Sequence, residues 1–399
     1  MKSVAWQRAS VADICESIVD CVNKTAAVVD GPTPYKMIRT TNVKKGWVNL
    51  AEVKYVSEEV FEKWTRRQRP RKGDVILTRE APLGEVGMLR SNDHVFLGQR
   101  LVSYRANPKK LDNRFLLYAF QHDDLQGQIK GLGSGATVEH MRVPDCEKLT
   151  LPLPSLDEQR RIASILSAYD DLIENNTRRI AILEEMARRI YEEWFVRFRF
   201  PGHEKVRMVE SELGLIPEGW SVGRLDDAIV LQRGFDLPAK DRQPGEYPVI
   251  AATGVHGSNI EGKVKGPGVV TGRSGSLGTV LYIHEDHWPL NTTLWVKEFK
   301  HATPLFAYYL LKGLDFAGLN AGAAVPTLNR NDVHAIRVSL PPDTLLSAFD
   351  NIVQPVFNLL RTLTQKNTNL RATRDLLLPK LISGELDVSR LPEAEAMAA

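Results

Sequence analysis

The residues of this 399-residue chain with the clearest chemical potential lie in two glycine-rich stretches. Residues 271–280 read TGRSGSLGTV, with three glycines, several hydroxyl residues and Arg273, the make-up of a loop that approaches a phosphate. Residues 78–87 read TREAPLGEVG and share its frame: Arg79-x-x-x-Leu83-Gly84-x-Val86 aligns with Arg273-x-x-x-Leu277-Gly278-x-Val280. A Walker-type phosphate loop needs G-x-x-x-x-G-K-[ST], and a dinucleotide loop needs G-x-G-x-x-G between a strand and a helix. Neither stretch has the lysine–hydroxyl pair, and GRSGSLG runs into an apparent strand, TVLYI. Both therefore read as tight strand turns in which glycine supplies positive φ. Arg79 and Arg273, with Ser274 and Ser276, are candidate contacts to an extended phosphate backbone.

Other chemistry is sparse. The sequence has no G-x-S-x-G elbow, no H-E-x-x-H, no S-adenosylmethionine loop and no Asn/Asp-Pro-Pro-Tyr motif, so no catalytic set is expected. His284 and His287 form the closest histidine pair and read as part of a surface loop rather than a metal site. Cys15, Cys21 and Cys146 are odd in number and scattered, which argues for a reducing compartment and against a disulfide framework. The N-terminus lacks the apolar core of a signal peptide, and no run of 18 apolar residues occurs. A cytoplasmic chain without membrane association is expected.

The positive signal is basic. The net charge of +3 permits a polyanion partner without demanding one, so local clusters carry the argument. Segment 66–72, RRQRPRK, supplies Arg66, Arg67, Arg69, Arg71 and Lys72 behind Trp64, and segment 41–47 supplies Lys44, Lys45 and Trp47. Arg100, Asn329 and Arg330 join the candidate set, and Arg233, Lys240, Arg242, Lys263 and Lys265 are further cations of the second half. Lysine and arginine mixed with aromatics suit phosphate contact plus stacking or groove packing, although most charge runs are simply solvated surface.

The elements that must position these residues are written twice. GATVEHMRVPDCEKLTLPLP (135–154) meets GAAVPTLNRNDVHAIRVSLP (322–341), pairing Met141 with Leu328 and Asp145 with Asp332. RFLLYAF (114–120) resembles PLFAYYL (304–310) at a similar shift. Each half starts with short Val/Ile/Leu runs bounded by Gly and Pro, which suggest strands: 73–78 and 86–90 in the first, 268–272 and 279–283 in the second. A Pro-rich hinge and a long helix close each half. In the first helix Ile162, Tyr169, Asn176, Leu183 and Ile190 interleave with Leu166, Ile173, Ile180, Ala187 and Trp194. In the second, Phe349, Val356, Leu363, Leu370 and Leu377 interleave with Val353, Leu360, Asn367, Arg374 and Leu381. This 4-3 spacing is a coiled-coil seam, with Asn176 and Asn367 as register-fixing polar positions. Ser155 and Glu158 form a capping-box pattern, and Pro355 is expected to kink the second helix.

LPLPSLDEQRRIASIL (151–166), YEEWFVRFRFPGHE (191–204), IPEGW (216–220) and LLLPKLISGELDV (376–388) resemble the specificity subunit of type I restriction–modification enzymes. The resemblance implies two target-recognition domains, each reading part of a split double-stranded DNA sequence. It also implies helices that set the spacing and dock two methyltransferase (modification) subunits. Those partners would carry S-adenosylmethionine and connect to motor-nuclease (restriction) subunits, leaving no cofactor in this chain. Thr137, Val138, Pro326, Thr327 and Asn329 lie in the second repeated motif. There the first copy has VEH where the second has PTL, a departure that leaves the role of His140 open.

The expected fold is α+β: two tandem similar recognition domains joined by two long helices in an antiparallel coiled coil, with a pseudo-two-fold internal duplication. Expected boundaries are 1–154 and 201–341 for the domains, 155–200 and 342–387 for the spacer helices, and 388–399 for a tail. Two other readings stand beside DNA recognition: a coiled-coil scaffold binding proteins alone, and a nucleotide-dependent enzyme using 271–280.

Overall fold

A computed structural model of the chain describes residues 6–135, 139–316, 318 and 327–389. Thr137, Val138 and Pro326 of the repeated motif, and residues 390–399 of the expected tail, lie outside the described residues. The chain divides into two compact units, residues 1–176 with 366–399 and residues 177–365. Both long helices therefore contribute a segment to each unit.

The first unit opens with β1 (Arg8–Ser10) and a one-turn helix, Val11–Ile14, capped by the Ser10 hydroxyl. The next strands are β2 (Cys15–Asp20), β3 (Tyr35–Ile38), β4 (Val43–Lys44), β5 (Gly46–Val48) and β6 (Lys54–Tyr55). They are followed by β7 (Val75–Arg79), β8 (Leu83–Met88), β9 (His94–Leu97) and β10 (Leu101–Ala106). β11 (Thr150–Pro152) closes the globular part by pairing with β1. The sheet orders are β2-β10-β7-β8-β5-β4 and β6-β3-β9. Alternation along β7 shows why its run is apolar throughout: Val75 and Leu77 face one core, and Ile76 faces another with Ile38 and Leu89. Side chains of successive strand residues point to opposite faces, so a strand covered on both sides reads as continuous apolar sequence. Helix Asn113–Gln121, capped by the Asp112 carboxylate, packs on the first of these faces with Phe115 to Phe120 buried.

In the second unit a hairpin, β12 (Met208–Ser211) and β13 (Gly214–Pro217), precedes β14 (Ser221–Arg224) and β15 (Ile229–Arg233). Then come β16 (Tyr247–Ala251), β17 (Gly254–Asn259), β18 (Gly268–Gly272), β19 (Val280–Ile283), β20 (Trp288–Pro289), β21 (Thr293–Phe299) and β22 (Arg337–Leu340). The sheet β15-β21-β18-β19 repeats β2-β10-β7-β8 strand for strand. The smaller sheet β17-β16-β20 repeats β6-β3-β9, including its single parallel pair. The β14–β22 pair repeats β1–β11. The first unit adds the β4–β5 hairpin to this shared plan.

The central helix, Leu156–Tyr191, starts at the expected box: Ser155 N–H donates to the Glu158 carboxylate at 3.0 Å and Glu158 N–H to Ser155 Oγ at 3.3 Å. It ends in a π-turn, Glu192–Val196. The distal helix, Asp343–Ile382, runs unbroken past Pro355. Every seam position named above is buried or half-buried, whereas Leu172, Ile182 and Met186, off the seam, are exposed. Within the first unit the helices run antiparallel: Ile162 and Leu166 share a core with Leu378 and Leu381, Asp170 meets Arg374, and Asn176 meets Asn367. Asn176 Nδ2 donates to Asn367 Oδ1 at 3.0 Å, and Asn367 Nδ2 donates to the Ile173 carbonyl. Arg374 holds Asp170 at 2.6 Å, and the Tyr118 hydroxyl donates to the same carboxylate at 2.7 Å. Within the second unit Tyr191, Trp194 and Phe195 pack on Phe349. Trp220 of the IPEGW segment packs against Phe195, Phe198 and Phe200. Val388, assigned to the tail from sequence, is buried in the core of the first unit.

Candidate nucleic-acid interface

The two repeated motifs meet in space, once in each unit. In the first, Arg79 N–H donates to the Arg100 carbonyl at 2.8 Å and Arg79 C=O accepts from Met141 N–H at 2.9 Å. In the second, Arg273 N–H donates to the Thr292 carbonyl and Arg273 C=O accepts from Leu328 N–H, both at 2.9 Å. Each arginine is thus a main-chain junction tying the end of one strand to two loops. The following turns lead from strand into strand, β7 to β8 and β18 to β19, with positive φ at Gly84 (+91°) and Gly278 (+82°). Neither turn leads directly into a helix, as the phosphate loop of a nucleotide cradle does.

The arginine side chains differ. Arg79 is half-buried, and its Nη1 donates to the Met141 carbonyl at 3.0 Å, so the guanidinium clamps the loop that its own main chain holds. Arg273 is half-buried too, but its side chain has no hydrogen bond or ion pair among the described residues. Ser274 bridges Thr327 and lies 3.4 Å from its hydroxyl. Ser276 is half-buried, and its carbonyl lies so near Gly272 that a β-carbon there would stand 2.0 Å away. Asn329 caps helix Arg330–His334 by accepting from Asn331 N–H, while Arg330 is exposed. Arg100 has φ +71° and pairs with Glu80 at 3.3 Å.

Lys44 ends β4 opposite Trp47, and Lys45 opens the two-residue turn to β5, with φ of +48° at Lys45 and +88° at Gly46. Positive φ at both turn residues is the type I′ requirement, and it projects two exposed ammonium groups from the sheet edge. Trp47, next along, stacks under Arg90, whose guanidinium lies 3.9 Å from the ring centroid. Segment 66–72 lies against edge strand β2. Arg67 pairs with Asp20 at 2.6 Å and bonds two main-chain carbonyls there, Arg69 pairs with Glu62, and Arg71 pairs with Glu16 at 3.0 Å. Arg66 and Lys72 are exposed and have no acid partner among the described residues. Sequence reasoning missed these acids, because Glu16 and Asp20 lie about fifty residues upstream and only strand pairing brings them near.

Three corrections concern the second half. His287 is fully buried rather than part of a surface loop. Lys263 and Lys265 pair with Glu261 and Asp286, which diminishes them as free cations. Arg242 bonds the His256 carbonyl. Burial holds His287 and His334 below the ordinary histidine range, favouring neutral rings. Among the described residues no cluster of His, Cys, Asp and Glu is arranged to hold a metal, the three cysteines are free, and no helix is long and apolar enough to cross a membrane.

The profile of the family described as type I restriction modification DNA specificity domain matches residues 4–185 and 217–369. The type I restriction enzyme MjaIX specificity subunit of Methanocaldococcus jannaschii is 26% identical over 410 aligned residues, 91% of this chain and 92% of its own length. The MjaVIII specificity subunit of the same organism is 30% identical over 148 residues, 35% of this chain and 33% of that protein. The crystal structure of the type I restriction–modification system S subunit from M. genitalium shares the fold, with a TM-score of 0.67 at 20% identity, over 96% of this chain and 97% of that one.

Proposed function

The chain belongs to the type I restriction modification DNA specificity family, and from that premise we propose that it is the non-catalytic, DNA-reading subunit of a type I restriction–modification complex. One observation carries the finer reading. Each unit repeats the same sheet order around the same arginine junction, so the chain holds two similar readers suited to the two halves of a split duplex site. In each, lysines and arginines contact phosphates and fix orientation, while loop side chains read base edges in the grooves. The two long helices set the separation of the half-sites and dock two methyltransferase subunits, through which motor-nuclease subunits join. S-adenosylmethionine belongs to the methyltransferase partners, and this chain needs no cofactor of its own.

Methylation mapping in cells carrying the complete system tests this. Exchange of residues 6–152 for the matching region of a relative is expected to change the bases of one half of a split methylated motif and leave the other half intact. A change in both halves, or a continuous motif, contradicts the reading. Methylation indifferent to the exchange favours a protein-binding scaffold.

A further inference from the structure

The basic segment of the first unit forms a surface that has no counterpart among the described residues of the second. Three adjoining depressions line segment 66–72. The first holds Arg66 and Arg67, the second Arg67, Arg69, Arg71 and Arg105, and the third Arg71, Lys72, Arg105 and Arg160. Shared residues join them into one trough along the outer edge of β2. It starts at Asp20 and Cys21, where Arg79 Nη2 lies 4.0 Å from Cys21 Sγ, and ends at the first turn of the central helix. A strand of six residues spans about 17–20 Å at about 3.3 Å per residue. A duplex strand carries one phosphate per about 3.4 Å of axis and winds as it rises, so a straight trough of this length can meet only a few successive phosphates. In the second unit the segment before β18 is used otherwise: Val264 bridges His287, and Lys265 pairs with Asp286.

The trough is partly neutralised by its own acids. Arg67 is tethered by two carbonyls as well as Asp20, so it belongs to the fold. The Arg69–Glu62 and Arg71–Glu16 pairs have no such tether, and all four side chains are at least half exposed. Pairs of this kind contribute little to stability. An arginine already neutralised by a carboxylate also releases fewer counterions on meeting a phosphate.

We infer that this trough is a sequence-independent phosphate track confined to the first unit, and that Glu16 and Glu62 restrain its affinity for non-target duplex. The inference rests on the DNA-reading function proposed above. Arg66, Lys72 and Lys63, which lines the first depression, have no acid partner among the described residues and are always available to the track. Arg69 and Arg71 are held back unless duplex displaces their carboxylates. The acids therefore weaken binding to arbitrary DNA without touching base readout.

The test is a salt titration of the assembled complex on a labelled duplex lacking the methylated motif, with methylation mapping alongside. Arg66→Ala/Lys72→Ala should flatten the plot of log affinity against log salt by up to about 1.8, the loss of two contacts at about 0.9 each. Glu16→Gln/Glu62→Gln should steepen it by a similar amount and tighten binding several-fold near 0.15 M salt. Neither should alter the methylated motif, and unchanged melting curves show that both variants fold. A wild-type complex that binds this duplex, with both double variants matching it, overturns the track alone. A wild-type complex with no salt-dependent duplex affinity overturns the DNA-reading function and the track with it.

Discussion

Leu231 N–H donates to His334 Nε2 at 2.9 Å inside the second unit, so the ring must stay neutral at that nitrogen for the bond to exist. Burial holds the His334 pKa down, and the carboxylate of Asp226 offsets this only in part against Arg330, Arg224 and Lys300. His287 is depressed for the same principal reason. The unfolded chain therefore takes up protons near pH 6.5 that the folded unit refuses until lower pH. Stability is full above that range and declines as pH falls from about 7 through the depressed folded values. Calorimetry should show the melting of the second unit moving down between pH 7 and 5, and His334→Gln should flatten part of that drop. A melting temperature independent of pH in this window would refute the assignment. At this scale the sequence was partly legible. Arg79 and Arg273 stood out by their repeat, but the inward turn of the Arg79 guanidinium depends on where the Met141 carbonyl lies, sixty-two residues away. His287 looked polar and exposed because its neighbours Glu285 and Asp286 are charged, and only the fold buries it.

Among elements, the helix pair in the first unit is fixed by polar atoms as much as by its apolar seam. Arg374 is, with Asn367, a polar member of its series, and the structure supplies its partner in Asp170, which also binds the Tyr118 hydroxyl of helix Asn113–Gln121. Three helices thus converge on one buried carboxylate. Asp170→Ala leaves the half-buried Arg374 with Asp375 as its remaining acid and the buried Tyr118 hydroxyl without its acceptor, and should cost about 1–3 kcal/mol in urea unfolding, whereas Asp170→Leu/Arg374→Leu should cost less. A single variant as stable as wild type would show that the pair is dispensable. The heptads, the cap at Ser155 and the strand runs were readable because each follows a local period or spacing. Asp170 was not, since it lies beside the seam series and its partners come from other elements.

For the whole molecule, the duplication was visible in sequence as three matching stretches at slightly different shifts. The structure gives those differences a physical form: the strands of the shared sheets correspond one to one, while the first unit carries the extra β4–β5 hairpin and helix Glu58–Trp64 and the second carries the β12–β13 hairpin. Under the proposed function the helices determine half-site separation. Adding one heptad to each lengthens them by about 10 Å at about 1.5 Å per residue, or about three base pairs at about 3.4 Å each. Methylation mapping should then return the same two half-sites about three base pairs farther apart. Unchanged spacing, with methylation retained, would separate the helices from that role.

The junctions at Arg79 and Arg273 are made from amide hydrogens and carbonyl oxygens, atoms that nearly every residue owns. A clasp of this sort is indifferent to the side chains it fastens. The loops beyond it can accept other side chains while their anchorage stays in place. The same bond that steadies each loop leaves its chemistry free to evolve.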